Sequence, residues 1–203
     1  MTIRIMERAQ EDDGDGTPFR STPFSGGERN RIFMNQGENF ADMTLMSGID
    51  FREDGRGFAL LDYDQDGFMD LAIVSPNYPR LRIVRNRMGD VVESSKENAF
   101  VEVELVGGQT TTQPSAEWSA RDPFGAKVFV KIGNEKRVFQ LSCGEGLASQ
   151  NAKRIHIGMG DGEKIDELTV EWPSGKKTVQ TDLKALQRHV VFEDDSAATA
   201  SKQ

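Results

Sequence analysis

Nine residues concentrate the oxygen chemistry of this chain: Asp62-Tyr63-Asp64-Gln65-Asp66-Gly67-Phe68-Met69-Asp70. Aspartates stand at positions 1, 3, 5 and 9, with a glycine at position 6. Carboxylates this close repel one another unless a cation sits among them. Calcium fits such a set, because it is a hard ion that takes about 6–8 oxygens at roughly 2.3–2.6 Å and tolerates irregular geometry. The expected ligands are the side chains of Asp62, Asp64, Asp66 and Asp70 and the backbone carbonyl of Phe68. Tyr63 and Gln65 then face outward. Gly67 supplies the sharp turn, where a positive φ strains most other residues. The competing reading is an acidic, solvated turn that holds no metal.

The elements that must position this loop are strands. Phe58-Ala59-Leu60-Leu61 precedes it and Leu71-Ala72-Ile73-Val74 follows, both short apolar runs. An EF-hand needs helical flanks and a bidentate Glu at position 12, which here is Ile73. The loop is therefore expected to close a β-hairpin. Further strands are expected at Arg31–Asn35, Phe40–Leu45 and Leu81–Asn86. Asp50 and Asp54 are nearby carboxylates that could add oxygens but are left out of the ligand set.

Residues 1–28 are expected to be disordered, with few apolar side chains to offset ordering entropy. The hairpin region spans 29–97. From residue 98 the pattern changes to clean alternation over 98–193, with a disordered tail at 194–203. Val101, Val103 and Leu105 alternate with Glu102 and Glu104. Ala126, Val128, Val130 and Ile132 point one way and Lys127 and Lys131 the other. Leu168, Val170 and Trp172 alternate with Glu167, Thr169 and Glu171. Residues 107–119 read as an exposed loop, Leu183–Leu186 as one helical turn, and Gly158–Gly162 as a hairpin turn. The sum is an all-β protein: a calcium-loop hairpin resembling one propeller blade, then a β-sandwich-like domain.

Composition narrows the function. The chain has 203 residues, 36% hydrophobic and 29% charged, with 20 glycines and a formal net charge of −8. That balance disfavours nucleic acid and anionic lipid as partners. No apolar run is long enough to span a membrane, and the first residues lack the apolar core of a secretory signal. Either the protein is cytoplasmic or a signal precedes this sequence. With a single cysteine, Cys143, no intrachain disulfide is possible. It is expected to pack as a small apolar residue. Only His156 and His189 could partner a catalytic thiol, and both lie in strand-like runs.

Two stretches resemble known families. Asp62–Leu71, preceded by Asp54–Ala59 and followed by Leu81–Asn86, resembles the FG-GAP/VCBS repeat, which supplies blades of β-propellers and binds calcium through this loop. Arg121–Val128, Gly144–Asn151, His156–Gly160 and Val170–Lys176 resemble the ASPIC/UnbV domain. In this order they look like the C-terminal end of the cartilage acidic protein-like family. Members usually carry several VCBS repeats, whereas one convincing calcium loop occurs here. A lone blade leaves unpaired strand edges, so docking on the ASPIC/UnbV-like domain, homo-oligomerisation through those edges, or membership of a larger assembly is expected. Cys143 stands where the family tends to have a small residue such as alanine.

The resemblance implies a non-enzymatic, calcium-binding recognition module for a protein or glycan, in an extracellular or periplasmic setting. Two alternatives remain open: an accessory protein of natural-product biosynthesis, and a carbohydrate-active protein using Trp118. Trp172 shares a face with Leu168 and Val170 and reads as core. An enzyme is not expected. There is no Ser-His-Asp order, no phosphate-binding glycine loop and no His/Cys zinc spacing. Aspartates around a cation are also held charged, the wrong state for an acid catalyst.

Overall fold

In the computed structural model, the described residues are 28–76, 78–91, 98–144, 146 and 149–194, together with the backbone of 5–6. The disorder expected for 1–28 and 194–203 falls almost wholly outside them, although Ile5–Met6 forms a two-residue strand, β1. The chain divides into two compact units. One is Met1–Lys96 with Gly144–Asn151, and the other is Glu97–Cys143 with Ala152–Gln203.

The first unit contains β2 (Phe33–Asn35), β3 (Phe40–Asp42), helix α1 (Thr44–Ser47), β4 (Gly57–Leu61), β5 (Asp70–Val74), β6 (Leu81–Val84) and helix α2 (Met88–Val91). Strands β4, β5 and β6 form an antiparallel meander, and β1 pairs antiparallel with β6. The hairpin β2–β3 stands as its own two-stranded sheet. The strand expected over Phe40–Leu45 stops at Asp42. There the Asp42 Oδ1 accepts the Thr44 N–H at 2.9 Å, which turns the chain into α1. Gly48, at φ +73°, ends that helix.

The second unit is a sandwich of two sheets. Strand β7 (Ala99–Val106) lies between β10 (Arg154–Gly160), antiparallel to it, and β13 (Gln187–Phe192), parallel to it. The other sheet runs β12 (Lys177–Lys184), β11 (Lys164–Glu171), β8 (Lys127–Ile132), β9 (Glu135–Gln140), all antiparallel. The period-2 alternation read from sequence is the alternation of burial. Val101, Val103, Val128, Val130, Leu168, Val170 and Trp172 all turn into the core with Ile155, Ile157 and Ile165. Gly133 at φ +56° makes the first position of the two-residue β8–β9 turn.

Three local expectations are corrected. Leu183–Leu186 is not a helical turn: β12 continues to Lys184, Leu183 enters the core opposite Ile165, and Leu186 sits exposed at φ +57°. Gly158–Gly162 does not close a hairpin: Gly158 and Gly160 lie within β10, and the chain passes through Gly162 to β11 in the other sheet. Cys143 is exposed rather than packed.

Candidate metal centre

Strand β4 ends at Leu61 and β5 begins at Asp70, with those two residues paired. The intervening residues therefore close a β-hairpin. Gly67 adopts φ +86°, and Gln65, exposed, also takes a positive φ of +60°. Backbone N–H groups organise the carboxylates. Asp62 accepts from Asp66 N at 3.1 Å and from Gly67 N at 2.9 Å. Asp66 Oδ1 accepts from Phe68 N at 2.9 Å. Asp70 Oδ2 accepts from Tyr63 N at 3.1 Å, and its Oδ1 accepts from Asn86 N at 2.7 Å.

Three of the five expected ligands come together: oxygens of Asp62, Asp64 and Asp70 all lie within 4.8 Å of one another. Asp64 is exposed, Asp62 half-buried and Asp70 fully buried. Asp66 stands outside this trio, and Phe68 enters the geometry through its N–H. Burial pushes the Asp70 carboxyl above its ordinary pKa against the pull of the Asn86 and Tyr63 N–H groups, and the charges of Asp64 and Asp66 add to the rise. Two like charges about 5 Å apart repel by roughly 3 kcal/mol at an effective dielectric of about 20, less where solvent screens them.

A residue outside the expected set answers part of that repulsion. Arg85, just past β6, donates through Nε to Asp64, through Nη2 to Asp66 at 2.9 Å, and through Nη1 to Asp90 at 3.1 Å. Its own pKa is raised, chiefly by those bonds to Asp64 and Asp66. The premise that only a bound ion can relieve the loop is therefore corrected: the chain supplies one cation itself. One guanidinium still faces four loop aspartates, and neither Asp62 nor Asp70 is paired with it. The antiparallel register of β5 and β6, Leu71 opposite Val84, carries Arg85 to the start of β5. That register, and not any local motif, is the signal that would have found it. Asp50 and Asp54 lie apart from the trio, paired with Arg29 and Arg56 respectively.

The donor set fits a hard divalent cation. It consists of oxygens alone, converges from two strand ends and one turn, and includes a buried carboxylate whose charge is otherwise costly. Among the described residues this is the one such acidic or His/Cys grouping.

Residues 116–198 match the family model described as ASPIC and UnbV. No curated protein matches the chain. The acidic loop lies outside the ASPIC/UnbV stretch, but one part of that stretch, Gly144–Asn151, belongs to the first unit. There Asn151 Oδ1 accepts the Leu60 N–H at 2.8 Å, on the side of β4 that has no strand neighbour among the described residues. Within the sandwich, the ASPIC/UnbV stretch holds a buried carboxylate, Glu193. It accepts from Gly108 N at 2.8 Å, Ser119 N at 2.8 Å, Ser119 Oγ at 2.9 Å and Ser174 Oγ. Burial opposes its ionisation, yet these donors together hold it below the usual carboxylate range. Trp118, the expected sugar platform, is half-buried. Its ring lies so close to Gly108 that a Cβ there would collide with it, and the Lys176 ammonium sits over the ring. Trp172 is core, with its Nε1–H donating to Thr178 Oγ1 at 2.8 Å.

Proposed function

We propose that the chain is a non-enzymatic recognition module whose first unit is braced by calcium, acting on a protein or glycan partner outside the cytoplasm. One observation carries the metal reading: three carboxylates converge within 4.8 Å, and one of them is fully buried. Asp62, Asp64 and Asp70 would hold the ion. Asp66 would join by trading its bond to Arg85, and the Phe68 carbonyl would complete the protein's share. The ion would supply charge neutralisation and cross-linking of the β4 and β5 ends, with no chemistry of its own. The loop's likeness to an FG-GAP/VCBS repeat and the ASPIC/UnbV match at 116–198 support a recognition role by analogy alone.

The test is thermal unfolding of chelated protein titrated with calcium to millimolar levels. The melting temperature of the first unit should rise, and Asp64→Ala and Asp70→Asn should each abolish the rise. A melting curve that calcium leaves unmoved would overturn the metal reading.

A further inference from the structure

The outer faces of both sandwich sheets carry ion pairs, Glu171 with Lys177 on the four-stranded one, but they differ in their apolar content. On the three-stranded sheet, Arg154 and Arg188 pair with Glu102 and Glu104, so that face neutralises itself. On the four-stranded sheet an apolar stripe crosses the strands. Val138, Phe129, Thr169 and Val179 stand in register across β9, β8, β11 and β12. Val138 is 60% exposed, Val179 58% and Phe129 36%. Residues two apart on a strand share its face, so a charged row flanks the stripe on either side. One row reads Lys136, Lys131, Glu167, Thr181; the other reads Gln140, Lys127, Glu171, Lys177.

We infer that this face packs against the same face of a second copy of the chain, about a two-fold axis parallel to the strands. The charge pattern selects the axis. Rotation about a line along the strands, midway between β8 and β11, lays β8 over the partner's β11 and β9 over its β12, with heights along the strands preserved. Lys131 then faces the partner's Glu167, Lys127 faces the partner's Glu171, and symmetry repeats both pairs. Phe129 meets the partner's Thr169, and Val138 meets the partner's Val179. An axis along the stripe would instead set Glu167 against the partner's Glu171 and Lys131 against the partner's Lys127. Like charges so placed are repulsive. Aligned sheets pack about 10 Å apart with strands within about 30°, a spacing these side chains fill. Four strands about 4.8 Å apart, contacting over some five residues, make a face roughly 20 Å square. That is small for a specific interface, so the dimer is a weak, transient one.

The experiment is sedimentation velocity of the full chain from micromolar to about 0.5 mM. It compares wild type, Lys131→Glu, Glu167→Lys and an equal mixture of the two variants. Alone, each variant opposes like charges across the axis and should dimerise at least tenfold more weakly than wild type. In the mixture the acidic 131/167 pair of one variant faces the basic 131/167 pair of the other, and dimers return. That rescue also shows that both variants are folded. Val138→Ser removes apolar contact without changing charge and should weaken the dimer severalfold. A wild type that stays monomeric throughout overturns the inference. So do variants that associate like wild type, or a mixture no tighter than its components.

Discussion

Among the described residues, the sandwich buries sixteen apolar side chains in one core, from Val101 through Leu168 to Val191. In the first unit the buried apolar side chains, among the described residues, are Ile49 and Val84. They sit beside four buried polar ones, Thr44, Ser47, Asp54 and Asp70. Apolar burial contributes about 25 cal/mol per Å² and needs no ligand. The first unit relies instead on directed charge contacts such as Arg82 with Glu53 and Arg85 with Asp64 and Asp66. Contacts of that kind stabilise weakly where solvent reaches them. One chain therefore joins a region built on a large apolar core to a region held more by charge contacts.

The sharpest way to break this contrast is to hollow the sandwich. Leu168→Ala should cost about 2–5 kcal/mol, measured by denaturant unfolding, and calcium should restore none of it. Chelation is the mirror experiment. At calcium a hundredfold above its dissociation constant, the first unit should lose about 2.7 kcal/mol on removal of the ion, while the sandwich transition stays in place. Next comes Glu193→Gln, which sets an amide against donors that a carboxylate satisfied. It should cost the sandwich about 1–3 kcal/mol at neutral pH. Glu193 has a lowered folded pKa. Its contribution is therefore present above the ordinary Glu value of about 4.3 and fades as pH falls through the folded value. The gap between variant and wild type should narrow in acid.

Asp70 has the opposite sign. Its folded pKa is raised, so without metal its contribution is fully present below the ordinary Asp range and is lost as pH rises through the folded value. Calcium requires the charged form. The calcium-induced rise in melting temperature should thus fade on acidification at a higher pH than an ordinary aspartate would dictate, read by titrating the melting shift against pH. This is the smallest of the expected effects.

The sandwich was legible because a half-buried strand writes its burial into period-2 alternation, as in β7, β8 and β11. Trp172 followed from sharing a face with Leu168 and Val170. In the acidic loop, spacing alone identified the hairpin and the convergence of Asp62, Asp64 and Asp70. Spacing also placed Asp66 inward, whereas the structure turns it toward Arg85, a residue 19 positions away. Asn151 reaches Leu60 across 91 positions, a contact no local pattern announces. The misread helical turn had the i, i+3 leucines Leu183 and Leu186, but tertiary pairing with β11 outweighed that weak local signal. The 107–119 loop looked merely polar. The carboxylate that pins its ends, Glu193, lies 74 residues beyond Ser119 and just after the last strand.

The chain passes from the first unit to the second at residue 97, returns for Gly144–Asn151, and leaves again. A ribosome that has finished the first 96 residues has not yet finished the first unit, because the amide that occupies the bare side of β4 is still 55 codons away. Until Asn151 emerges, Leu60 presents an open N–H to any neighbouring nascent chain. The first unit thus cannot close until Asn151 has been made, and the sandwich waits longer still, for β13 at Gln187–Phe192.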